Sequence, residues 1–234
     1  MDRPYVICHM TTSIDGKVTG EHLARPGHER VSELYYQINR DLQADAYACG
    51  RVTMEGSFTS GWYPDLAKYP PVQNEFSAMD HLVDELTGFY AVAFDPHGRL
   101  GWKSDRIIDV DKDPGYDNAQ IIEVLTHDVD PRYLTYLQAT GIPYLFAGDA
   151  EIDIAEALHK LKSYFGIEKL LLEGGSILDG AFQRAGVVDE LSLVVDPVVG
   201  GAEGKPLFMD SVLEEYRLVE VQNHDGILWL NYKK

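Results

Sequence analysis

Lys169-Leu170-Leu171-Leu172-Glu173-Gly174-Gly175-Ser176-Ile177-Leu178-Asp179-Gly180-Ala181-Phe182-Gln183-Arg184-Ala185-Gly186 is the stretch whose reading decides the fold. Residues 169–172 are an apolar run of strand length, and residues 176–185 make a helix-length segment that stops before Gly186. Glu173 and two glycines are all that join them, so a strand turns directly into a helix. Outward from this unit the same alternation recurs. Further short apolar runs rich in β-branched and aromatic residues lie at 5–10, 44–49, 89–94, 120–125, 144–147 and 191–195. Helix-period stretches separate most of them. Residues 32–44 space Leu34, Ile38 and Leu42 at i, i+4 and i+8; residues 131–139 start with Asp130 as N-cap and Pro131 at N1 and end at Gly141. Residues 152–165 follow Asp149 and Asp153 and end at Gly166. Strands alternating with helices predict an α/β fold with a mostly parallel sheet covered by helices on both faces. The end of the chain breaks the pattern. Residues 216–221 and 227–232 alternate apolar and polar around Asn223-His224-Asp225-Gly226, which predicts a C-terminal antiparallel hairpin.

Composition bounds the rest. Of 234 residues, 20 are Lys or Arg and 38 are Asp or Glu, giving a formal net charge of −18. That surplus argues against a nucleic-acid partner, because phosphate backbones need a cationic face, while leaving room for a small anionic ligand. Hydrophobic residues at 45% and charged residues at 25% exclude a disordered or collagen-like chain, and no apolar run approaches a membrane span. Cys8 and Cys49 sit in apolar runs and read as reduced core residues of a cytoplasmic protein; the start MDRPYVICHM does not read as a signal peptide. No repeat and no Gly-, Pro- or Ser-rich linker divides the chain, so one domain over residues 1–234 is expected. Residues 61–88 are an excursion: Trp62, Tyr63, Pro64, Tyr69, Pro70 and Pro71 precede a helix expected around 75–86.

Ligands of parallel α/β sheets gather beyond the C-terminal strand ends, where three loops stand out. In Glu173-Gly174-Gly175-Ser176 the glycines permit close backbone approach, and the helix start offers N–H groups to a phosphate; an ordinary tight turn is the competing reading. Gly50-Arg51-Val52-Thr53-Met54-Glu55 repeats the logic, with Thr53 capping a helix that begins near Val52 and Arg51 as either phosphate ligand or ion-pair partner. Ser13-Ile14-Asp15-Gly16-Lys17 reads first as a turn, with Asp15 and Lys17 able to face a substrate. The eight histidines lack HxxxH or HExxH spacing, and no GxSxG elbow occurs, so neither a metal site nor a serine nucleophile is expected. The acidic stretch 105–117 reads as a solvated loop. Trp62, Tyr63 and Tyr69 suit either stacking on a planar substrate or packing of the excursion onto the body.

Leu171-Leu172-Glu173-Gly174-Gly175-Ser176, Ala181-Phe182, Val188-Asp189-Glu190-Leu191, Asp196-Pro197-Val198-Val199-Gly200-Gly201 and Leu207-Phe208, in that order, resemble the C-terminal reductase domain of bacterial riboflavin-biosynthesis deaminase/reductases. Ser13-Ile14-Asp15-Gly16-Lys17 matches that family's S-x-D-G-basic motif, and Gly50-Arg51-Val52-Thr53 is similar to dihydrofolate-reductase-like relatives. The resemblance implies a dihydrofolate-reductase-like fold, NADPH as cofactor, a homodimer, and reduction of the ribosylamino group of a phosphoribosylamino-pyrimidine, the 5-amino-6-(5-phosphoribosylamino)uracil reductase type. Residue by residue it implies that Gly50, Arg51 and Thr53 flank the cofactor phosphates, with Arg51 toward the 2′-phosphate. Gly174, Gly175, Ser176 and Ile177 would hold the pyrophosphate; Asp95, Ala147 and Gly148 would lie near the adenosine half; Thr12 and Ser13 would complete the cofactor set. Glu173 and the Asp15-Gly16-Lys17 loop would border the nicotinamide and substrate, so Asp15, Lys17 and Glu173, with the nearby carboxylate of Glu55, are the catalytic candidates. The chain departs from the pattern in two ways: the deaminase signatures H-x-E and P-C-x-x-C do not occur, and Gly56-Ser57-Phe58 stands where the family carries Asp-Asp-Pro. The latter leaves two alternatives open, an NADPH-dependent reductase of a dihydropterin- or dihydrofolate-like heterocycle and a non-catalytic nucleotide-binding dimer.

Overall fold

In chain order the elements of the computed structural model are β1 (Tyr5–Ser13), α1 (Glu29–Leu42), β2 (Ala46–Gly50), α2 (Arg51–Met54), β3 (Tyr90–Phe94), β4 (Gln120–Leu125), α3 (Pro131–Thr140), β5 (Tyr144–Phe146), α4 (Ile154–Phe165), β6 (Lys169–Leu172), α5 (Ser176–Arg184), β7 (Glu190–Asp196), β8 (Arg217–His224) and β9 (Ile227–Lys233). The structure describes residues 2–72 and 79–234. They fall into two compact units, the first made of Met1–Pro4 and Asp45–Glu168, the second of Tyr5–Ala44 and Lys169–Lys234.

The first unit carries a parallel ladder in the order β5-β4-β3-β2. Every residue of β3, β4 and β5 is buried, which is why these strands read as unbroken apolar runs rather than alternating ones. Gly50, Phe94, Leu125 and Phe146 end their strands on the same side of this ladder, so the loops after them share one end. α3 starts where its sequence signals place it: the Asp130 carboxylate accepts the Arg132 N–H at 2.9 Å, Pro131 follows, and Gly141 at φ 78° closes the helix. Such an N-cap contributes about 1 kcal/mol. α4 is capped in the same manner by Asp153, which accepts from Glu156 N–H at 3.0 Å, and ends at Gly166.

Two expectations change here. α2 is a single turn whose N-cap is Gly50, without a side-chain hydrogen bond, and Thr53 lies inside it; Thr53 therefore caps nothing. The chain then runs into a π-helical turn at Glu55–Thr59. The helix expected around 75–86 falls partly on residues 73–78, outside the described residues, and residues 79–86 hold no helix. There His81 instead bridges Tyr144 in antiparallel fashion. The aromatic excursion packs on the body. Tyr63 stacks on Tyr133 with ring centroids 6.2 Å apart and donates to Gly98 C=O at 2.8 Å, and Tyr69 meets Tyr136 edge-on at 5.6 Å. Gly101 is required for this packing, since a Cβ there would lie 2.1 Å from Trp62 C=O.

The second unit carries β6-β1-β7-β9-β8, with β6, β1 and β7 parallel and the last two pairings antiparallel. α1 lays Val31, Leu34 and Ile38 against Val194 and Ile227, with Tyr35, Leu42 and Trp229 at the margin. Each fully buried aliphatic side chain of that set contributes roughly 1.5–3 kcal/mol. The hairpin forms as predicted, but its turn is shorter. Asn223 and His224 pair with Leu228 and Ile227, leaving Asp225 and Gly226 at φ 53° and 93°. Two positive φ values make the primed turn that suits strand twist, and Asp-Gly is the dipeptide that tolerates it.

Candidate functional site

In the second unit β1, β6 and β7 are parallel, so Ser13, Leu172 and Asp196 end at the same edge and their loops converge. The Ser13–Lys17 turn is tightly cross-linked. Ser13 Oγ donates to Asp15 Oδ1 at 2.7 Å, Gly200 N–H donates to the same oxygen at 2.7 Å, and Lys17 N–H donates to Ser13 Oγ at 3.0 Å. The Gly200 N–H, then the Ser13 hydroxyl, hold the Asp15 carboxyl down to about 2, so it is an ionised acceptor. Lys17 Nζ lies 3.6 Å from Asp15 Oδ2 and donates to Gly201 C=O. Glycine is needed at 200 and 204 because a Cβ would sit 2.8 Å from Ser13 Oγ and 2.4 Å from Thr19 C=O respectively. The 198–205 loop thus presses directly on the S-x-D-G-K turn.

Glu173 follows β6, is buried, and accepts from Asn39 Nδ2 at 2.5 Å. The next peptide, Gly174–Gly175, is cis, and Gly174 sits at φ 92°, where a Cβ would meet Met10 Cε at 3.1 Å. Gly175 caps α5 without any side-chain hydrogen bond, so the first N–H groups of this helix have no capping acceptor and present positive partial charge. The Ser176 hydroxyl turns inward to Pro206 C=O, leaving its backbone N–H rather than its side chain for a ligand, while Ile177 is exposed. Beneath the turn lie Asp179 and Cys8, both fully buried. Burial, then Glu173, pushes the Asp179 carboxyl well up; burial, then Asp179 and Glu173, does the same to the Cys8 thiol. Thr12 and Ser13 are buried at the end of β1.

Beside this edge stands a cluster of which the quoted motifs contain only Asp196. Asp196, fully buried, accepts from Arg25 through Oδ1 and from His28 Nδ1 at 3.2 Å through Oδ2. His22 is 5% exposed, and neither of its ring nitrogens has a hydrogen-bond partner; Arg25 Nε is buried and equally unmatched. Buried polar atoms without partners are costly and rare.

In the first unit the common strand end carries Gly50, Asp95 and Ala147-Gly148. Arg51 is ion-paired to Glu55 at 2.8 Å, so the surface ion pair weighed from the sequence is formed and Glu55 is its partner. Asp95 is buried and turns back into its own loop, accepting from Arg99 N–H at 2.5 Å and Leu100 N–H at 2.7 Å, while Oδ1 is unmatched. Burial raises its carboxyl, opposed by those N–H groups and by the Arg51 and Arg99 charges. Behind it Glu123, fully buried, accepts from Trp102 Nε1 and from Tyr133 OH at 3.3 Å; burial, then Asp95, pushes it well up. Gly148, at φ 88°, holds a turn in which a Cβ would lie 2.1 Å from Glu151 C=O.

The residues named from sequence therefore group by unit: Thr12, Ser13, Asp15, Lys17, Glu173, Gly174, Gly175, Ser176 and Ile177 at the strand ends of the second, and Gly50, Arg51, Thr53, Glu55, Asp95, Ala147 and Gly148 in the first. His22, Arg25, His28 and Asp196 were missed.

Comparison with known proteins fits this arrangement. The RibD C-terminal domain model matches residues 108–227, more than half of the chain. The 2,5-diamino-6-ribosylamino-4(3H)-pyrimidinone 5′-phosphate reductase of Kluyveromyces lactis is 24% identical over 238 residues, covering 97% of this chain and 82% of that protein. Among solved structures, Acinetobacter baumannii RibD superposes with a TM-score of 0.65 at 17% identity over 99% of this chain, which spans 58% of that protein's length. The Saccharomyces riboflavin biosynthesis reductase Rib7 gives 0.61 at 14% identity, covering 99% of this chain and 90% of that one. At such identities the structures share the fold, and with the family match spanning the Gly174-Gly175 turn and the Asp196–Gly201 segment, the chain is a member of the RibD C-terminal domain family.

Proposed function

We propose that the protein is an NADPH-dependent reductase of a phosphoribosylamino-pyrimidine, of the kind named for the Kluyveromyces relative. The observation that carries this reading is the converging edge of β1, β6 and β7, where a two-glycine turn into an uncapped helix lies among loops that bear Lys17, His22 and Arg25. Its donors fit a dinucleotide. The N–H groups at the start of α5, approachable because residues 174 and 175 lack side chains, suit a pyrophosphate. The first unit, taken by itself, offers the Arg51 guanidinium to a nucleotide phosphate in exchange for Glu55. Bound NADPH supplies the hydride that converts the ribosylamino carbon into a ribityl one.

The chain's own residues position and protonate. Glu173, steadied by Asn39, borders the substrate as an acceptor. Asp15, held ionised by Gly200 and Ser13, orients Lys17, whose ammonium is the proton donor to the substrate nitrogen in this reading. His22 and Arg25, with unmatched nitrogens, take the substrate's 5′-phosphate, and Asp196 holds Arg25 and His28 in place. Asp95, Ala147 and Gly148 shape the adenosine side. A homodimer is part of the proposal, supported by the half-exposed Leu218, Val219 and Val221 of edge strand β8. Cytoplasmic residence accords with the burial of Cys8 and Cys49 in apolar strands; among the described residues no helix is long and apolar enough to cross a membrane.

The test is turnover. Purified protein with NADPH is given the 2,5-diamino-pyrimidinone phosphoribosylamine, its deaminated uracil counterpart and dihydrofolate. NADPH consumption with either pyrimidine and none with dihydrofolate supports the reading, and consumption with dihydrofolate alone replaces it. His22→Ala should raise KM for the phosphorylated pyrimidine and leave the dephosphorylated compound unaffected.

A further inference from the structure

The returning limb of the excursion is fastened to the open side of β5. β4 pairs along one side of that strand. On the other, Tyr144 exchanges both backbone hydrogen bonds with His81, at 2.9 and 3.0 Å. Two residues on, Phe146 N–H donates to Asp80 Oδ1 at 2.7 Å and Phe146 C=O accepts from Lys160 Nζ at 2.7 Å. Side chains thus complete an edge that backbone pairing began.

Lys160 does more than close the edge. Its ammonium lies 3.1 Å from Asp80 Oδ2 and 3.0 Å from Glu156 Oε1, and its side chain is 18% exposed. Glu156 in turn accepts the Gly148 N–H through Oε2 at 3.2 Å. One cation therefore links the excursion, the end of β5 and the turn after it. Without that cation, Asp80 and Glu156 are two carboxylates converging on one spot; their repulsion draws Glu156 away from Gly148. The turn has little latitude, because Gly148 sits at φ 88° with Glu151 C=O where a Cβ would be. Asp149, Glu151 and Asp153 follow, so the same cation also offsets the charge of an acidic segment.

We infer that Lys160, clamped between Asp80 and Glu156, is a positioning residue that sets the Ala147–Gly148 turn and with it the affinity for the adenosine half of the dinucleotide. The inference rests on the reading that this turn borders NADPH. It makes the anchoring of the excursion a determinant of cofactor binding with no contact to the reacting atoms.

Calorimetric titration with NADPH and steady-state kinetics on Lys160→Met, Lys160→Arg, Asp80→Asn and Lys162→Met test it. Lys162 is the control, since it lies on the same helix and pairs with Asp2 and Glu168 instead. Lys160→Met should weaken NADPH binding and raise its KM about ten-fold, and Asp80→Asn about three-fold. kcat at saturating NADPH and KM for the pyrimidine should hold within about two-fold, Lys160→Arg should restore affinity, and Lys162→Met should match wild type. NADPH affinity unchanged in both Lys160→Met and Asp80→Asn overturns the inference, as does equal weakening by Lys162→Met. Should Lys160→Met fail to fold, Asp80→Asn decides, since its amide oxygen still accepts from Phe146. If wild type itself binds no NADPH, the cofactor reading falls and the inference with it.

Discussion

His9 offers a prediction that depends on packing alone. It lies in β1 with no exposed surface, stacked on Tyr35 with ring centroids 4.2 Å apart and 7° between planes. Its Nε2 lies 3.0 Å from Tyr35 C=O, which can only accept, so Nε2 carries the proton. Nδ1 then accepts from Ser192 Oγ at 3.0 Å, and that hydroxyl oxygen accepts from Trp229 Nε1 at 2.9 Å. The neutral ring satisfies every member; a second proton at Nδ1 could reach the Ser192 C=O at 3.2 Å, but the charge would have no exposed surface, and that desolvation outweighs the added hydrogen bond. Burial accordingly lowers the imidazole from 6.5 to about 4, opposed by the Tyr35 and Ser192 carbonyls. The unfolded chain binds a proton from pH 6.5 downward and the folded chain does not until about 4, so stability is lost as pH falls through that window. At about 1.4 kcal/mol per pH unit, acidification across it costs about 3 kcal/mol. The comparison is wild type against His9→Gln in urea unfolding from pH 7 to 4, so that other titrating groups cancel. The variant should be less stable at pH 7, and the gap should narrow by about 3 kcal/mol by pH 4. Parallel curves would refute the buried neutral histidine.

Glu123 should behave in the opposite sense. Its carboxyl is raised by burial and by Asp95, so the folded state retains its proton and loses stability as pH rises past the ordinary carboxylate range; Glu123→Gln should remove that loss and be the more stable form at pH 8 by thermal melting. A variant less stable than wild type at every pH would contradict the assignment. Gly148→Ala places a Cβ against Glu151 C=O and an L-residue at φ 88°, and should destabilise by roughly 1–3 kcal/mol in chemical denaturation. Arg51→Ala should weaken NADPH more than NADH by about 1.5–3 kcal/mol, the worth of a charged hydrogen bond, and equal losses would return Arg51 to its pairing with Glu55.

What was legible in the sequence was local. β4 and β6 begin and end where their apolar runs do, and α3 and α4 close at Gly141 and Gly166 because caps are written in neighbouring residues. The hairpin was legible for the same reason, through Asp225-Gly226. α1 began three residues before the expected start, since Glu29 reaches back to the Gly27 N–H and Val31 joins the buried face, features weaker than the i, i+4 leucine spacing. The site was legible where a motif is contiguous, as at 13–17 and 173–176. It was illegible where partners are distant: Arg25 and His28 meet Asp196 across 171 and 168 residues, and nothing local marks His22 as buried and unmatched. Asp95 was expected near the adenosine half, and that its carboxylate also ties the 95–100 loop through the Arg99 and Leu100 N–H groups was not legible. Gly98 and Gly101 look like ordinary loop glycines until Tyr133 and Trp62 are packed against them.

The central claim is hydride transfer to the sugar carbon, and isotope labelling tests it most directly. Protein is incubated with the phosphoribosylamino-pyrimidine and NADPH deuterated at nicotinamide C4, one face at a time, and the product is analysed by mass spectrometry. A ribitylamino product carrying one deuterium at the former anomeric carbon, from one face only, is the predicted result. Tight NADPH binding without any deuterated product would show a nucleotide-binding protein and contradict the account.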